Sequence, residues 1–195
     1  MGRRMIQDRL TPFNCVVILI DFQADLLLTI DSIDVRTLIE NAMALSRMTS
    51  SFGIPTILTT IGANSFGGPL LSQLQTIFPK GRAIECTTMS VWEEDRVKKE
   101  VERTGRRKLV MTGLWTDFCV ALSATQAVEA GYEVYVVIDA CGDLSKRAQD
   151  RAVQRMTRAG AIPVECRRVL FEFQQQEAFL LSNGRIPLSQ GTGLW

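Results

Sequence analysis

The chain has 195 residues, 46% of them hydrophobic, which is enough for one substantial core and small for two ordinary domains. Its 22 basic and 21 acidic side chains nearly cancel, so charge gives no argument for a nucleic acid or an anionic membrane as a partner. The sequence has no histidine, which excludes Ser-His-Asp and Cys-His catalysis and every imidazole-based metal site. We therefore predict a single domain over residues 1–195 that binds a small molecule and needs no cofactor.

Cysteine usage and hydropathy indicate the compartment. The five cysteines form no CxxC pair and show no framework spacing, so neither a disulfide scaffold nor a structural zinc site is indicated. The apolar run at residues 16–20 is too short for a membrane span and adjoins Asp21, which is not typical of a signal peptide. A soluble, cytoplasmic protein with free thiols is the prediction.

Apolar, β-branched runs alternate with amphipathic stretches along the chain. In order, strands are predicted over residues 15–20, 55–60, 82–86, 108–112, 133–138 and 162–166, the third and sixth being weaker. Helices are predicted over residues 35–52, 92–104, 120–130 and 147–159. This alternation predicts a three-layer α/β/α, Rossmann-like fold with a six-stranded parallel sheet in the order 3-2-1-4-5-6. Residues 174–195 are interpreted as a C-terminal arm that either packs on another subunit or is loose.

The predicted strand order places a candidate site between the first and fourth strands, where the order reverses. The first strand ends at Asp21, and the fourth runs into a turn that carries Cys119. At the first turn of a helix, Cys119 gains thiolate character from unpaired amides, which also suit a developing oxyanion. The other interpretation of Cys119 is a small buried hydrophobe, and Asp21 is either a base toward the thiol or a helix cap.

Six segments, in this order along about residues 12–175, carry a family resemblance. They are ILIDFQ, PTILTT, GPL, MSVWEED, GLWTDFCV and VYVVIDACG. Together they resemble the isochorismatase-like cysteine hydrolases and are most similar to the YcaC-like branch, which consists of small homo-oligomeric enzymes. The resemblance implies a homo-oligomer, with an octamer as the candidate size.

The resemblance also implies a catalytic triad of an aspartate, a basic residue and a cysteine. The aspartate falls on Asp21 and the nucleophile on Cys119, while the backbone of Trp115, Thr116 and Cys119 would form the oxyanion site. In this family the peptide bond between the positions of Trp115 and Thr116 is typically cis. The position of the basic residue holds Cys86 instead.

Three interpretations of Cys86 stay open. In the first, Cys86 is a neutral replacement in an impaired enzyme, and Arg82 and Lys80 lie too far back in the sequence to supply the missing positive charge. In the second, a cation from elsewhere in the chain completes the triad. In the third, Cys86 and Cys119 form a redox pair.

The predicted activity is metal-independent hydrolysis of a C-N, amide-type bond of a small molecule through a thioester intermediate. The alternatives are an impaired family member that serves as a binding or scaffold protein, and a redox module based on Cys86 and Cys119. Five residues are candidates to line the substrate pocket: Phe22, Gln23, Trp92, Trp115 and Phe118. Aromatic side chains near a sheet edge belong to the core at least as often as to a pocket.

Overall fold

An open parallel sheet organises the molecule. The computed structural model describes residues 9–182, with side chains through residue 175. Six parallel strands pair in the order β3-β2-β1-β4-β5-β6, which confirms the predicted topology. They are β1 (Cys15–Ile20), β2 (Thr56–Ile61), β3 (Ile84–Cys86), β4 (Lys108–Gly113), β5 (Glu133–Val137) and β6 (Ile162–Val164).

Helices connect the strands and cover both faces of the sheet. They are α1 (Ala24–Leu27), α2 (Val35–Ser51), α3 (Ser72–Ile77), α4 (Asp95–Arg103), α5 (Ala121–Glu129), α6 (Lys146–Ala159) and α7 (Cys166–Ser182). Short 3-10 turns lie at Val91–Glu93 and Ile138–Ala140, and a π-helical turn lies at Thr116–Val120. Local sequence sets the ends of α6, because the Ser145 hydroxyl accepts the Ala148 N–H at 3.2 Å and Gly160 adopts a left-handed φ of 109°.

Strand β1 lies at the centre of the sheet and is buried along its whole length. Val17 and Leu19 face the core that includes residues of α2 and α7, whereas Val16 and Ile18 face the core that includes residues of α4, α5 and α6. A strand with both faces covered needs apolar residues at every position, which explains the unbroken apolar run in the sequence. The two cores hold the ends of β1 and β4 in fixed positions.

Several element boundaries differ from the predictions. Strand β3 starts at Ile84 rather than residue 82, and α4 starts at Asp95 after a 3-10 turn rather than at residue 92. Strand β6 ends at Val164, because the next residues turn into α7: the Cys166 N–H donates to Asp139 Oδ1 at 2.7 Å.

The predicted C-terminal arm is helical in its described part. Helix α7 continues through residues 174–182, and residues 183–195 lie outside the described residues, as do residues 1–8. The buried side chains Cys166, Val169 and Phe173 recur at helical spacing, a signal that could have indicated this helix. Among the described residues, no helix is long and apolar enough to cross a membrane.

Candidate active site

The ends of β1 and β4 lie side by side and carry the candidate site. Ile20 and Gly113 are partners in the parallel register, so Asp21 and the turn after Gly113 leave the sheet together. Asp21 (φ 56°) and Trp115 (φ 52°) are the non-glycine residues with positive φ in the described part of the chain. Such backbone strain costs roughly 1 to 3 kcal/mol per residue and clusters at functional sites.

The Asp21 carboxyl is buried, with only 1% of its surface exposed. Its Oδ1 accepts the Thr59 hydroxyl of β2 at 2.7 Å, and the carboxyl also forms a hydrogen bond with the Cys119 thiol. Burial raises the pKa of Asp21 above its ordinary value, the hydrogen bonds from Thr59 and Cys119 oppose this rise, and the charge of Glu85 adds to it. The acid and the sulfur predicted from strand order are therefore in contact.

Cys119 lies in the π-helical turn Thr116–Val120, directly before α5. The helical segment therefore starts about one turn before the predicted helix start at residue 120. The Cys119 side chain is fully buried. Burial raises the pKa of this thiol strongly, and the neighbouring Asp21 carboxyl raises it further. Cys86 and Asp143 act in the same direction. At neutral pH the resting site therefore holds a thiol that donates to the Asp21 carboxyl.

Cys86, the last residue of β3, lies close enough to Asp21 and Cys119 to interact with both electrostatically. It is buried, and its pKa is raised to about 12 by burial first and then by Asp21 and Glu94. The cysteines of the described chain are free thiols, so 86 and 119 are not joined by a disulfide. At the position where the resemblance implies a basic residue, this chain thus has the uncharged thiol of Cys86.

Arg96 is the cation that acts on Cys86, and its charge lowers the pKa of that thiol. The guanidinium is exposed; it donates to the Glu85 carbonyl at 2.5 Å and pairs with the Glu94 carboxyl at 3.1 Å. Arg82 and Lys80 are exposed on the loop before β3. Arg96 therefore lies near Cys86 and forms its ion pair with Glu94.

The prediction of a cis peptide at Trp115–Thr116 is wrong, because the bond is trans. The backbone N–H groups of residues 116–119 donate hydrogen bonds within the protein. The pairs are Thr116 to Gly142 O (3.1 Å), Asp117 to Asp143 Oδ2 (2.8 Å), Phe118 to Trp115 O (2.9 Å) and Cys119 to Trp115 O (2.8 Å). The N–H groups of Thr116 and Cys119 thus have acceptors within the protein, and the oxyanion site on the backbone of Trp115, Thr116 and Cys119 stays a prediction.

A sequence profile described as "Isochorismatase domain" matches residues 15–167. The chain belongs to the isochorismatase family. Similar proteins agree with this assignment: the "Probable hydrolase YcaC" of Escherichia coli (strain K12) is 34% identical over 154 residues, which cover 78% of this chain and 74% of that protein. The resemblance inferred from the six sequence segments is confirmed.

Solved structures of relatives share the fold of this isochorismatase-family chain. YcaC from Pseudomonas aeruginosa with hexane-2,5-diol and covalent acrylamide superposes with a TM-score of 0.84 at 32% identity, over 88% of this chain and 85% of that one. The Escherichia coli YcaC gene product, described as an octameric hydrolase of unknown specificity, gives 0.85 at 31% identity, over 93% and 88% of the two chains.

The five predicted pocket residues of this isochorismatase-family site have different surroundings. Phe22 is buried in the core, and both polar atoms of the buried Gln23 amide are used, with Oε1 accepting the Ile61 N–H at 2.8 Å and Nε2 donating to Gly68 O at 2.7 Å. Trp92 is buried and packs edge-on against Tyr132. Phe22, Gln23 and Trp92 are therefore buried and make contacts within the folded chain.

Trp115 and Phe118 retain solvent-accessible surface beside the strand ends. The Trp115 ring stacks on Phe66 with centroids 5.8 Å apart, and its Nε1 donates to Thr29 Oγ1 at 2.9 Å. Their role in a substrate pocket stays a prediction.

Two site residues were missed by sequence reasoning. Thr59 is a polar residue inside a buried strand, and its hydroxyl fixes the Asp21 carboxyl. Asp143 is fully buried, and its carboxyl accepts the Asp117 and Leu144 N–H groups, both at 2.8 Å. Asp143 lies just past the end of the matching segment VYVVIDACG, so its position after β5 was the available signal.

No group of three or more His, Cys, Asp or Glu side chains within residues 9–175 is arranged to hold a metal ion. The chemistry available at the described site consists of two thiols, the Asp21 carboxyl with the Thr59 hydroxyl that positions it, and the Asp143 carboxyl.

Proposed function

We propose that this isochorismatase-family protein is a cysteine hydrolase that cleaves a C-N bond of a small molecule through a covalent intermediate on Cys119, without a metal ion. The hydrogen bond between the Cys119 thiol and the buried Asp21 carboxyl is the observation that carries this proposal. It supplies a nucleophile and a base within proton-transfer reach at adjoining strand ends.

The proposed reaction on an amide has two halves. Asp21 accepts the Sγ proton as sulfur attacks the carbon, and the C-N bond breaks as that proton passes to the leaving amine. Water then attacks the thioester, giving up a proton through Asp21, and the C-S bond breaks to restore the thiol. The raised pKa of Asp21 suits both transfers, because it brings the base closer in basicity to the groups it must serve.

Labelling kinetics test this proposal. Native protein is treated with iodoacetamide, and modification of each of the five cysteines is followed by peptide mass spectrometry. We expect Cys119 to react at least about tenfold faster than the other four, because the Asp21 carboxyl can accept the Sγ proton as the sulfur attacks. Equal rates at all five, or labelling of Cys119 only after unfolding, would contradict the proposal.

The full burial and raised pKa of Cys119 favour a second candidate, a non-catalytic binding or scaffold protein on the same fold. The variant Cys86→Lys separates the two, with Cys86→Ala as the matched control for loss of the thiol. For an enzyme we expect Cys86→Lys to raise the labelling rate of Cys119 about tenfold by stabilising the thiolate. A scaffold protein would show no gain with either variant.

The redox alternative makes a different prediction for the same pair of thiols. Oxidised protein alkylated without reductant would show a linked 86/119 peptide, because Cys86 and Cys119 share one buried site. Two freely alkylated thiols under these conditions would exclude this alternative.

A further inference from the structure

A groove outside the candidate active site lies between α6 and the ends of β5 and β6. Its volume is about 440 Å³. Polar side chains in its lining include Asp139, Lys146, Gln149, Asp150 and Glu165. The lining includes neither the Asp21 carboxyl nor the two thiols of the candidate active site. The groove is therefore a separate feature of the described chain.

Gln149 is a buried side chain of this groove whose hydrogen-bonding capacity is only partly used. It lies on α6 and is 6% exposed. Its Nε2 donates to the carbonyls of Ile138 at 3.2 Å and Cys141 at 3.1 Å, whereas its Oε1 has no hydrogen-bond partner among the described residues. The two donated bonds fix the orientation of the amide. The lining thus holds a buried acceptor that lacks a donor, which is unfavourable.

Two carboxyl groups lie on the strand side of the groove. Asp139 follows β5 and is half-buried, and Glu165 follows β6. Burial raises the pKa of Asp139 most and the charge of Glu165 raises it further, while a hydrogen bond from the Cys166 N–H opposes the rise. Glu165 is the charged group that acts on Asp139. A positive group placed beside Asp139 would therefore be stabilised.

The chain's own cations near the groove have other partners or lie outside its lining. Lys146 is part of the lining but pairs with the Asp150 carboxyl one turn further along α6. Two arginines form ion pairs away from the groove, Arg155 with Asp117 at 3.1 Å and Arg168 with Glu172 at 2.9 Å. The other described arginines of α2, α6 and α7 are exposed and do not line the groove: Arg36, Arg47, Arg147, Arg151, Arg158 and Arg167. A donor for Gln149 Oε1 therefore has to come from outside the chain.

The shape of the groove limits the ligand to a slim molecule with an apolar part. Ile33, Ile138 and Val153 supply apolar lining. Gln149 Oε1 is covered from bulk solvent, so a donor has to reach it end-on. The exposed Gln154 lies on the same face of α6, and exposed side chains of this kind change rotamer rapidly, which admits a narrow ligand.

We propose that this groove binds a small primary alkylammonium ion, independently of the proposed hydrolase activity. The ammonium group carries three N–H donors and one positive charge. It donates to Gln149 Oε1 and pairs with the Asp139 carboxyl, while the short alkyl chain contacts the apolar lining. Both unfavourable features of the unliganded groove are relieved by one ligand.

Three probes of similar size test this proposal on the full chain by saturation-transfer NMR titration, in an amine-free buffer of constant ionic strength. Propylammonium chloride carries charge and N–H donors, propyltrimethylammonium chloride carries charge without N–H donors, and 1-propanol carries a donor without charge. We expect propylammonium to bind with a Kd on the order of 1 mM and the other two at least about tenfold more weakly. Equal affinity for propylammonium and propyltrimethylammonium would overturn the proposal.

Two variants locate the binding in the groove. Gln149→Met removes the acceptor at similar side-chain length, and we expect it to weaken propylammonium at least about tenfold. Glu165→Gln removes an exposed charge that acts on Asp139, and we expect it to weaken propylammonium about threefold without affecting 1-propanol. Glu129→Gln is the matched control, because Glu129 is an exposed acid of α5 outside the lining, and its affinity should equal that of the native chain.

The Glu165→Gln result stands apart from any effect on folding, since Glu165 is exposed. Circular dichroism and urea denaturation check that Gln149→Met is folded, because this variant also loses the two bonds donated by Nε2. Native affinity for propylammonium in folded Gln149→Met, or in Glu165→Gln, would exclude the groove as the binding site.

Discussion

Asp21 has two features that each lower the stability of the folded chain. Its φ of 56° lies in the left-handed region, and its carboxyl is buried with a pKa raised above the ordinary value of 3.8. A raised pKa means that the folded chain holds this proton more tightly than the unfolded chain does. Stability from this group is therefore present below pH 3.8 and is lost as pH rises through the folded pKa.

The substitution Asp21→Asn should therefore stabilise the protein at pH 8 while abolishing rapid labelling of Cys119. Asparagine tolerates a positive φ and keeps an oxygen for the Thr59 hydroxyl. We expect the free energy of unfolding in urea to rise on the order of 1 kcal/mol at pH 8 relative to wild type, with the difference disappearing near pH 3.

Asp34→Asn is the matched control with the opposite sign. The exposed Asp34 caps α2, and hydrogen bonds from Thr37 lower its pKa, so its stabilising contribution is present at high pH and is lost on acidification. We expect Asp34→Asn to lower stability at pH 8 and to leave labelling of Cys119 unchanged. A fall in stability at pH 8 for Asp21→Asn as well would contradict the assignment of Asp21 as a buried, destabilising charge.

Residue-level reasoning from the sequence found the acid and the sulfur but not their surroundings. Asp21 and Cys119 follow directly from strand order, because each lies at the end of a strand or in the turn after it. Thr59 and Asp143 reach the site through contacts 38 and 26 positions along the chain. A local sequence pattern cannot predict contacts between residues so far apart in the chain.

The turn at Thr116–Val120 shows where element-level prediction fails. The sequence predicts a helix that starts at residue 120 with unpaired amides before it, whereas the structure ties the preceding amides to Gly142 and Asp143. This segment after β5 lies beside the turn only because β4 and β5 are neighbours. The strands themselves were predictable, since burial on both faces leaves an unbroken apolar run.

Gly113 is the element-level position at which the site depends on close strand approach. A Cβ added there would lie 2.4 Å from the Ile20 carbonyl oxygen and 2.6 Å from the Ile20 Cβ. Because neither atom can move without shifting β1, we expect Gly113→Ala to lower the free energy of unfolding by about 2 to 3 kcal/mol and to slow labelling of Cys119 at least about tenfold.

Gly131→Ala serves as the control for Gly113→Ala. Gly131 has a φ of 86° and no atom within 4 Å of an added Cβ, so only local backbone strain of about 1 kcal/mol is expected. Labelling of Cys119 should be unchanged. Urea denaturation and labelling rates check both variants, and an equal loss of stability without a difference in labelling would show that Gly113 has no role in holding the two strand ends together.

At the scale of the whole molecule, alternation of strand and helix was enough to predict the topology. Each parallel connection returns over one face of the sheet, and the two cores on opposite faces account for most of the apolar side chains in the predicted elements. The contacts made by helix α7 were not predictable to the same degree, because its apolar stripe is sparse: only three of its ten described side chains are buried. The oligomeric state is likewise not encoded in any strand or helix pattern.

Exposed apolar surface beside the site leads us to propose a homo-oligomer. Leu28 is 85% exposed, and Phe66 and Phe118 are also exposed around the same strand ends, which is costly in water for an isolated chain. We expect light scattering to give more than the mass of one chain, and Leu28→Asp to reduce that mass. Leu28→Met should retain it, because methionine preserves apolar contacts at similar volume. A wild-type species with the mass of one chain would exclude the assembly, and equal masses for the two variants would place Leu28 outside its interfaces.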